Sequence, residues 1–158
     1  MCIRDSYNTG DLESLETQNS ILDISTANQY LENLEDYPLD LDLALPIFGW
    51  GVLFRGGKMT KLINNLSVND LAQDERFIKI DKNHFQLSKS TYLNGYYLYQ
   101  DDIIRTEAIS CDLLEEAAQV LSQKQWSDTL NISFYHLDTT TIKNHPHATL
   151  EKVCDYFE

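Results

Sequence analysis

The sequence predicts an α/β protein with a parallel sheet, and three observations support this prediction. Leu39 to Phe48 alternates leucine with aspartate or alanine over most of its length, and a period of two is typical of a β-strand. Ser110 is a suitable N-cap, and after it apolar residues recur at helical spacing to about Lys124. Leu130 to Leu137 has the composition of a buried strand, and an amphipathic helix follows Pro146. Strands that alternate with helices form βαβ units and therefore a parallel sheet.

The first part of the chain adds one more helix to this pattern. Ser25 is a suitable N-cap, and apolar residues at helical spacing continue to Tyr37, where Pro38 prevents continuation. The polar stretch 11–20 has the composition of a surface loop. Met1 to Ser6 resembles a leader that arises when adapter sequence is translated, so we expect residues 1–6 to be foreign to the protein.

The middle of the chain has a different pattern. Two β-prone runs flank Gly56-Gly57, and such a pair predicts a hairpin because glycine accepts the positive φ angles of tight turns. A short helix near 68–73 and strands at 77–80, 84–87, 92–99 and 103–107 complete a compact α+β unit. The sequence therefore predicts four segments, a leader at 1–6, strand-helix-strand at 7–48, an α+β insertion at 49–107 and helix-strand-helix at 108–158.

Charge and cysteine content exclude several classes of function. The chain carries 12 basic and 25 acidic residues, a net charge of -13, which disfavours binding to nucleic acid and to anionic membrane surfaces. No segment is apolar over the length that a membrane span needs. The three cysteines form no CxxC pair, and Cys111 and Cys154 fall within helical apolar patterns, where we expect them to pack in the core.

Candidate site residues follow from the rule that ligands bind beyond the carboxyl ends of parallel strands. This rule selects Tyr7 and Asn8, then Trp50, then His136 and Asp138. Trp50 lies between Gly49 and Gly51, and the indole offers a flat face for a sugar ring, although a core role is the simpler interpretation. Asp40 and Asp42 lie at the opposite strand end, where solvated or capping carboxylates are expected.

No catalytic or cofactor motif is present in the sequence. His145-Pro146-His147 lies close to His136, yet it lacks the spacing and supporting ligands of a zinc site, and we interpret it as the exposed start of the last helix. Gly56-Gly57-Lys58 lacks the upstream glycine and the helix of a phosphate-binding loop. The sequence therefore predicts no metal and no cofactor.

The order of elements, with YNTG at 7–10, LDLALPIFGWG at 41–51 and FYHLD at 134–138, resembles the last strands of a chitinase-like (β/α)8 barrel. More narrowly, it resembles an uncharacterised bacterial barrel family related to glycoside hydrolases. The resemblance implies an α/β fold made of the last strands and helices of such a barrel, with an α+β insertion after the seventh strand. It also implies that the catalytic acid lies upstream of this chain and that the full-length protein is periplasmic or secreted.

Two functional hypotheses follow. In the first, the chain is the C-terminal fragment of a glycan-processing or glycan-binding barrel, with Tyr7, Asn8, Trp50, His136 and Asp138 on the carbohydrate side and the missing N-terminal part of the same chain as its partner. In the second, the chain is a stand-alone acidic binding or inhibitor module of the immunity type, which acts on a basic protein.

Overall fold

The structure is a computed structural model that describes residues 2–5, 10–32, 38, 41–124, 126, 129–136 and 138–158, with the backbone alone for 2–5. It divides into two compact units. Unit 1 comprises Met1–Gly10, Ile21–Phe48 and Ile109–Glu158, and unit 2 comprises Asp11–Ser20 and Gly49–Ala108. The sequence predicted an insertion at 49–107, and these residues lie within unit 2 together with the separate segment 11–20. None of the helices in the described residues has the length and hydropathy to cross a bilayer.

The sheet of unit 1 has three parallel strands. Strands β1 (Cys2–Asp5), β2 (Leu41–Pro46) and β10 (Ile132–Tyr135) lie in the order β1-β2-β10. All six residues of the central strand β2 are buried, as expected when both faces of a parallel sheet are covered. Asp42 is among them, and its Oδ1 accepts hydrogen bonds from the Asn131 backbone N–H at 3.1 Å and side-chain amide at 2.8 Å. Of the two expected roles, solvated or capping, the solvated one is therefore wrong for Asp42, whose carboxylate binds the backbone and side chain of Asn131.

Four helices belong to unit 1, α1 (Ile24–Tyr30), α3 (Cys111–Ser122), α4 (Thr139–Asn144) and α5 (His147–Asp155). The Ser110 hydroxyl accepts from the Leu113 backbone N–H, which confirms the predicted N-cap of α3. Helix α1 is capped by Asp23 and not by the predicted Ser25, and residues 33–37 of its predicted span lie outside the described residues. Cys111 and Cys154 are half-buried free thiols. Neither lies in the fully buried core, where the sequence had placed them.

The main sheet of unit 2 has five antiparallel strands in the order β4-β3-β9-β6-β5. Strands β3 (Gly49–Arg55) and β4 (Lys58–Asn64) form the predicted hairpin, in which Gly56 and Gly57 have φ angles of 57° and 77°. The remaining strands are β5 (Phe77–Lys79), β6 (His84–Leu87) and β9 (Ile103–Ala108), and helix α2 (Val68–Ala72) follows β4. One apolar core in unit 2 contains Leu53, Ile63, Leu66, Leu71, Phe77, Phe85, Leu87, Leu98 and Ile104.

A second, two-stranded sheet stands apart in unit 2. Strands β7 (Thr91–Leu93) and β8 (Tyr96–Leu98) are joined by Asn94 and Gly95, whose φ angles are 48° and 81°. Positive φ at both central residues is the requirement of a tight primed turn, and Asn-Gly is its preferred sequence. The prediction of one strand over 92–99 is therefore wrong, because the chain reverses in its middle.

The predicted fold class, the last strands and helices of a (β/α)8 barrel, is also wrong. In the described part of the chain the three parallel strands do not close into a barrel, and most strands belong to antiparallel sheets. The largest sheet is the five-stranded antiparallel sheet of unit 2, which has no counterpart in an alternating β/α pattern. The structure is a small β-rich protein with five short helices among its described residues.

Candidate functional site

Trp50 lies in strand β3 of unit 2, where its indole belongs to a polar network. Its Nε1 donates a hydrogen bond to Glu107 Oε2 at 3.1 Å. A Cβ on Gly49 would lie 2.7 Å from the backbone oxygen of Glu107, and a Cβ on Gly51 would lie 2.6 Å from the Leu66 side chain. The two glycines are therefore needed for close packing within unit 2. The sequence suggested that they make room for a ligand, but packing explains why both flank Trp50. A ligand-binding role of Trp50 stays a prediction.

The network around Trp50 is built on a buried ion pair between Arg105 and Glu107, both on β9. Arg105 Nε donates to Glu107 Oε1 at 2.5 Å, and neither side chain is exposed to solvent. Glu107 Oε2 also accepts from the backbone N–H of Ser20 at 2.7 Å and from its hydroxyl at 2.6 Å. Every charged oxygen thus has donors, which satisfies the condition for burying a carboxylate.

The same sheet holds the irregular segment 11–20 through its backbone carbonyls. Arg105 donates to the carbonyl oxygens of Ser14 and Leu12, and Asn83 Nδ2 donates to that of Gln18 at 2.9 Å. His84 Nε2 lies 3.0 Å from the Leu15 oxygen. These contacts do not depend on the side chains of segment 11–20, so they position its backbone. Sequence reasoning missed Arg105 and Glu107, although opposite charges two apart in a strand share one face.

His136 and Asp138 lie in unit 1, beyond the end of β10, and the structure brings them together. His136 Nε2 lies 2.8 Å from Asp138 Oδ2, and the His136 ring packs near Phe48 with centroids 6.0 Å apart. Asp138 also caps α4, since its Oδ1 accepts from the backbone N–H groups of Thr140 and Thr141. Hydrogen bonds from Thr141, first of all from its backbone N–H, lower the pKa of Asp138 below its usual value.

The remaining predicted residues give less information. Tyr7 and Asn8 lie outside the described residues. His145, predicted at the exposed start of the last helix, is buried, with Nδ1 3.0 Å from the Thr141 oxygen and Nε2 3.0 Å from the Ile109 oxygen. Both ring nitrogens thus face backbone acceptors. Over the described residues, His, Cys, Asp and Glu form no group of three that could hold a metal ion.

The lowered pKa of Asp138 predicts an acid-sensitive contribution to stability. A carboxylate with a depressed pKa stabilises the folded state above its unfolded value, near 3.8, and this contribution is lost as the pH falls through the folded pKa. Asp138→Ala should therefore lower the free energy of unfolding at pH 7, and the difference from wild type should shrink at an acid pH below 3.8, as the pH falls through the folded pKa. Urea unfolding at both pH values measures it.

Ser110→Ala provides the matched control, because it removes an N-cap that does not titrate. Its cost of about 1 kcal/mol should be the same at both pH values. A cost of Asp138→Ala that does not change with pH would contradict the assigned role of the carboxylate.

Unit 2 carries a group of exposed tyrosines on the hairpin β7–β8 and on the residue after it. We define the tyrosine surface as Tyr92, Tyr97 and Tyr99, whose exposed fractions range from 45% to 66%. Tyr92 and Tyr97 face each other across the hairpin with ring centroids 5.0 Å apart, and Tyr97 and Tyr99 are also 5.0 Å apart, edge to face. Such pairs stabilise one another beyond their burial, so the rings form one ordered surface.

Two cations of the neighbouring hairpin β3–β4 cover tyrosine rings. The Arg55 guanidinium lies 4.1 Å from the Tyr99 ring centroid, and Lys61 Nζ lies 4.0 Å from that of Tyr96. Arg55 is held in place because its Nε and Nη2 donate to Asp102 at 2.9 and 2.7 Å. This bidentate contact with Asp102 raises the pKa of Arg55 further above its ordinary value.

The hairpin β7–β8 is fixed on the face opposite to the tyrosine surface. Leu98, between Tyr97 and Tyr99 in sequence, points to the opposite face and is completely buried in the core of unit 2. Asp102 Oδ2 accepts from the backbone N–H of Tyr99 at 2.8 Å, and Arg76 Nη1 donates to the Thr91 hydroxyl at 2.5 Å. The tyrosine surface is therefore attached to a rigid support.

Comparison with known proteins gave no further assignment. No family model matches the chain, and neither a curated protein nor a solved structure is similar to it. The resemblance to chitinase-like barrels is therefore wrong as a family assignment, since neither the fold nor any relative supports it. With it, the expectations of glycoside hydrolase chemistry and of carbohydrate binding lose their support.

Proposed function

We propose that the chain is a protein-binding module and that the tyrosine surface is the centre of its contact with a partner. One observation carries this proposal, namely that the three tyrosines of this surface stand between 45% and 66% exposed, while Leu98 on the opposite face is anchored in the core. Large exposed aromatic side chains are costly to leave in water and are enriched at the centres of protein interfaces.

The arrangement of the rings favours binding for an entropic reason. A tyrosine has only two side-chain torsions, and here the rings of Tyr92, Tyr97 and Tyr99 already restrain one another. A partner that packs on them loses little additional conformational freedom, so more of the contact energy appears as affinity. The tyrosine hydroxyls can meanwhile donate and accept hydrogen bonds at the rim of the contact.

A selection from a displayed library of random peptides tests this proposal. We expect the wild-type chain to enrich a sequence family that a chain with Tyr92, Tyr97 and Tyr99 all changed to alanine does not enrich. Ile78→Ala is the matched control, because Ile78 is an equally exposed apolar residue on β5 of the same unit. Absence of enrichment by the wild type, or the same peptide family with the triple variant, would contradict the proposal.

Unit 1 supports a second candidate function, which is the acidic inhibitor or immunity-type module that acts on a basic protein. The charge of the chain is unevenly divided, since unit 1 has four basic and 15 acidic residues whereas unit 2 has eight and ten. The resulting charge of -11 on unit 1 attracts a basic partner and accelerates its association. The same selection tests this candidate. Peptides that bind unit 1 should be rich in lysine and arginine, and the variant that lacks the three tyrosines should still enrich them.

A further inference from the structure

The geometry points to a pocket at the border of the tyrosine surface that receives an oxyanion, a carboxylate or phosphate group on a side chain of the bound partner. This inference rests on the proposed function and specifies the partner as one that presents an acidic group. It depends on a small cavity where the hairpin β7–β8 meets β3 and β4, and on the charge of the residues that line this cavity.

The cavity has a volume of about 230 Å³ and is lined by Leu53, Arg55, Thr60, Lys61, Tyr96 and Tyr97. Its polar lining consists of two cations and three hydroxyl groups, and no carboxylate lines it. Small-molecule sites usually have larger volumes of about 300–1,000 Å³. The size therefore suits one functional group of a larger partner better than a complete metabolite.

Lys61 is the group that would bind the anion most directly. Its side chain is exposed and crosses the Tyr96 ring, and none of the ion pairs in the described residues involves it. Stacking on the ring leaves the ammonium hydrogens that face away from Tyr96 available to an acceptor. Lys61 is thus a cation held at the cavity without a carboxylate to neutralise it.

Arg55 contributes the second donor. Its Nε and Nη2 are taken by Asp102, and Thr60 Oγ1 donates to the Leu53 carbonyl oxygen, so the groups left for a ligand are Arg55 Nη1 and the tyrosine hydroxyls. The contact with Asp102 fixes the guanidinium plane. Fixed donors bind a planar or tetrahedral oxyanion with little loss of side-chain entropy.

The net charge of -13 does not prevent anion binding at this place. Fields between exposed charges are screened over about 8 Å at physiological ionic strength, so distant carboxylates have little effect here. Asp102 balances the charge of Arg55, and the uncompensated local charge is that of Lys61. Unit 2 itself has a net charge of only -2, and eight of the 12 basic residues of the chain belong to it. The pocket is therefore a locally basic place on an acidic protein.

A titration of the full chain with sodium phosphate and with sodium acetate, at constant ionic strength, tests this inference through amide chemical shifts. Phosphate should shift the amides of Arg55, Lys61 and Tyr97, and Lys61→Met should weaken its binding by about tenfold, because a charge-assisted hydrogen bond is lost. Lys61→Arg should retain binding. Lys58→Met is the matched control, since Lys58 is exposed on the same strand but does not line the cavity.

The two ligands distinguish the source of the oxyanion. Clearly tighter binding of phosphate points to a phosphorylated side chain, and similar binding of acetate points to aspartate or glutamate, and both results support the pocket. Shifts spread over the whole chain, or unchanged affinity in both Lys61→Met and Lys61→Gln, would overturn it. If the peptide selection still requires the tyrosines in that case, the proposed function stands and only the anion pocket fails.

Discussion

Replacing Glu107 with alanine is expected to lower the free energy of unfolding of unit 2 by about 3–5 kcal/mol, because it breaks a buried ion pair from one side. The change would leave the guanidinium of Arg105 charged and fully buried. It would also remove the acceptor of the Ser20 backbone N–H, the Ser20 hydroxyl and the Trp50 indole. Each buried donor without an acceptor adds to the cost.

Urea unfolding of unit 2 at pH 7 measures this effect. The chain has two tryptophans, Trp50 in unit 2 and Trp126 in unit 1, so Trp126→Phe provides a background in which fluorescence reports unit 2. Glu16→Ala, an exposed carboxylate on segment 11–20, is the control and should change stability by less than about 0.5 kcal/mol. Replacing Arg105 with methionine and Glu107 with leucine together should recover only part of the loss, because this removes the unpaired charge but leaves the Ser20 backbone N–H and hydroxyl without their acceptor. A loss below about 1 kcal/mol in Glu107→Ala would contradict the structural role given to the pair.

Leu98→Ala should have the next largest effect, a loss of about 2–5 kcal/mol, because it leaves a cavity in the core of unit 2. Leu98 is the completely buried residue between two exposed tyrosines, so this variant separates anchoring from contact. Tyr97→Ala, one position earlier, should cost far less stability, because its ring lies 45% exposed on the outer face.

The same urea unfolding, followed with hydrogen exchange of the β8 amides, distinguishes the two variants. Leu98→Ala should raise the exchange rates of strand β8, whereas Tyr97→Ala should leave them close to those of the wild type. Equal losses of stability in both variants would show that the hairpin is not anchored from its inner face, and the tyrosine surface would then lack a rigid support.

The local elements could be predicted because their signals lie close together in sequence. Gly56-Gly57 determines the β3–β4 turn through positive φ angles, and the Ser110 cap with its apolar periodicity determines helix α3. Strand β2 was identified by its period of two, yet the pattern gave no sign that Asp42 is buried with Asn131, because that contact joins residues 89 positions apart.

The overall fold could not be predicted in the same way. Alternation of strands and helices indicates which strands pair in parallel, but it contains no information on how many strands complete the sheet. The barrel was inferred from element order, and it is wrong because closure depends on strand number and stagger, which are properties of the whole assembly.

The turn that creates the tyrosine surface has a local signal in the sequence, although the predicted single strand over 92–99 passes over it. Asn94-Gly95 between two β-prone runs is a strong hairpin signal, and placing the turn there puts Tyr92 opposite Tyr97. Exposure was not predictable, since it depends on Leu98 entering the core from the opposite face. Arg105 and Glu107 were missed because charged residues in a strand are normally expected in solvent.

The most direct test of the proposed function is the dissociation constant of one selected peptide, measured by isothermal titration with the wild-type chain and with single variants. If the tyrosine surface is the centre of the contact, Tyr97→Ala should raise the dissociation constant by about 30-fold, as for a central aromatic residue worth about 2 kcal/mol. Tyr97→Phe should retain most of the affinity, and Ile78→Ala should change it by less than about twofold. A dissociation constant for Tyr97→Ala within twofold of the wild type, in a variant with unchanged stability, would contradict the proposal that this surface binds a partner.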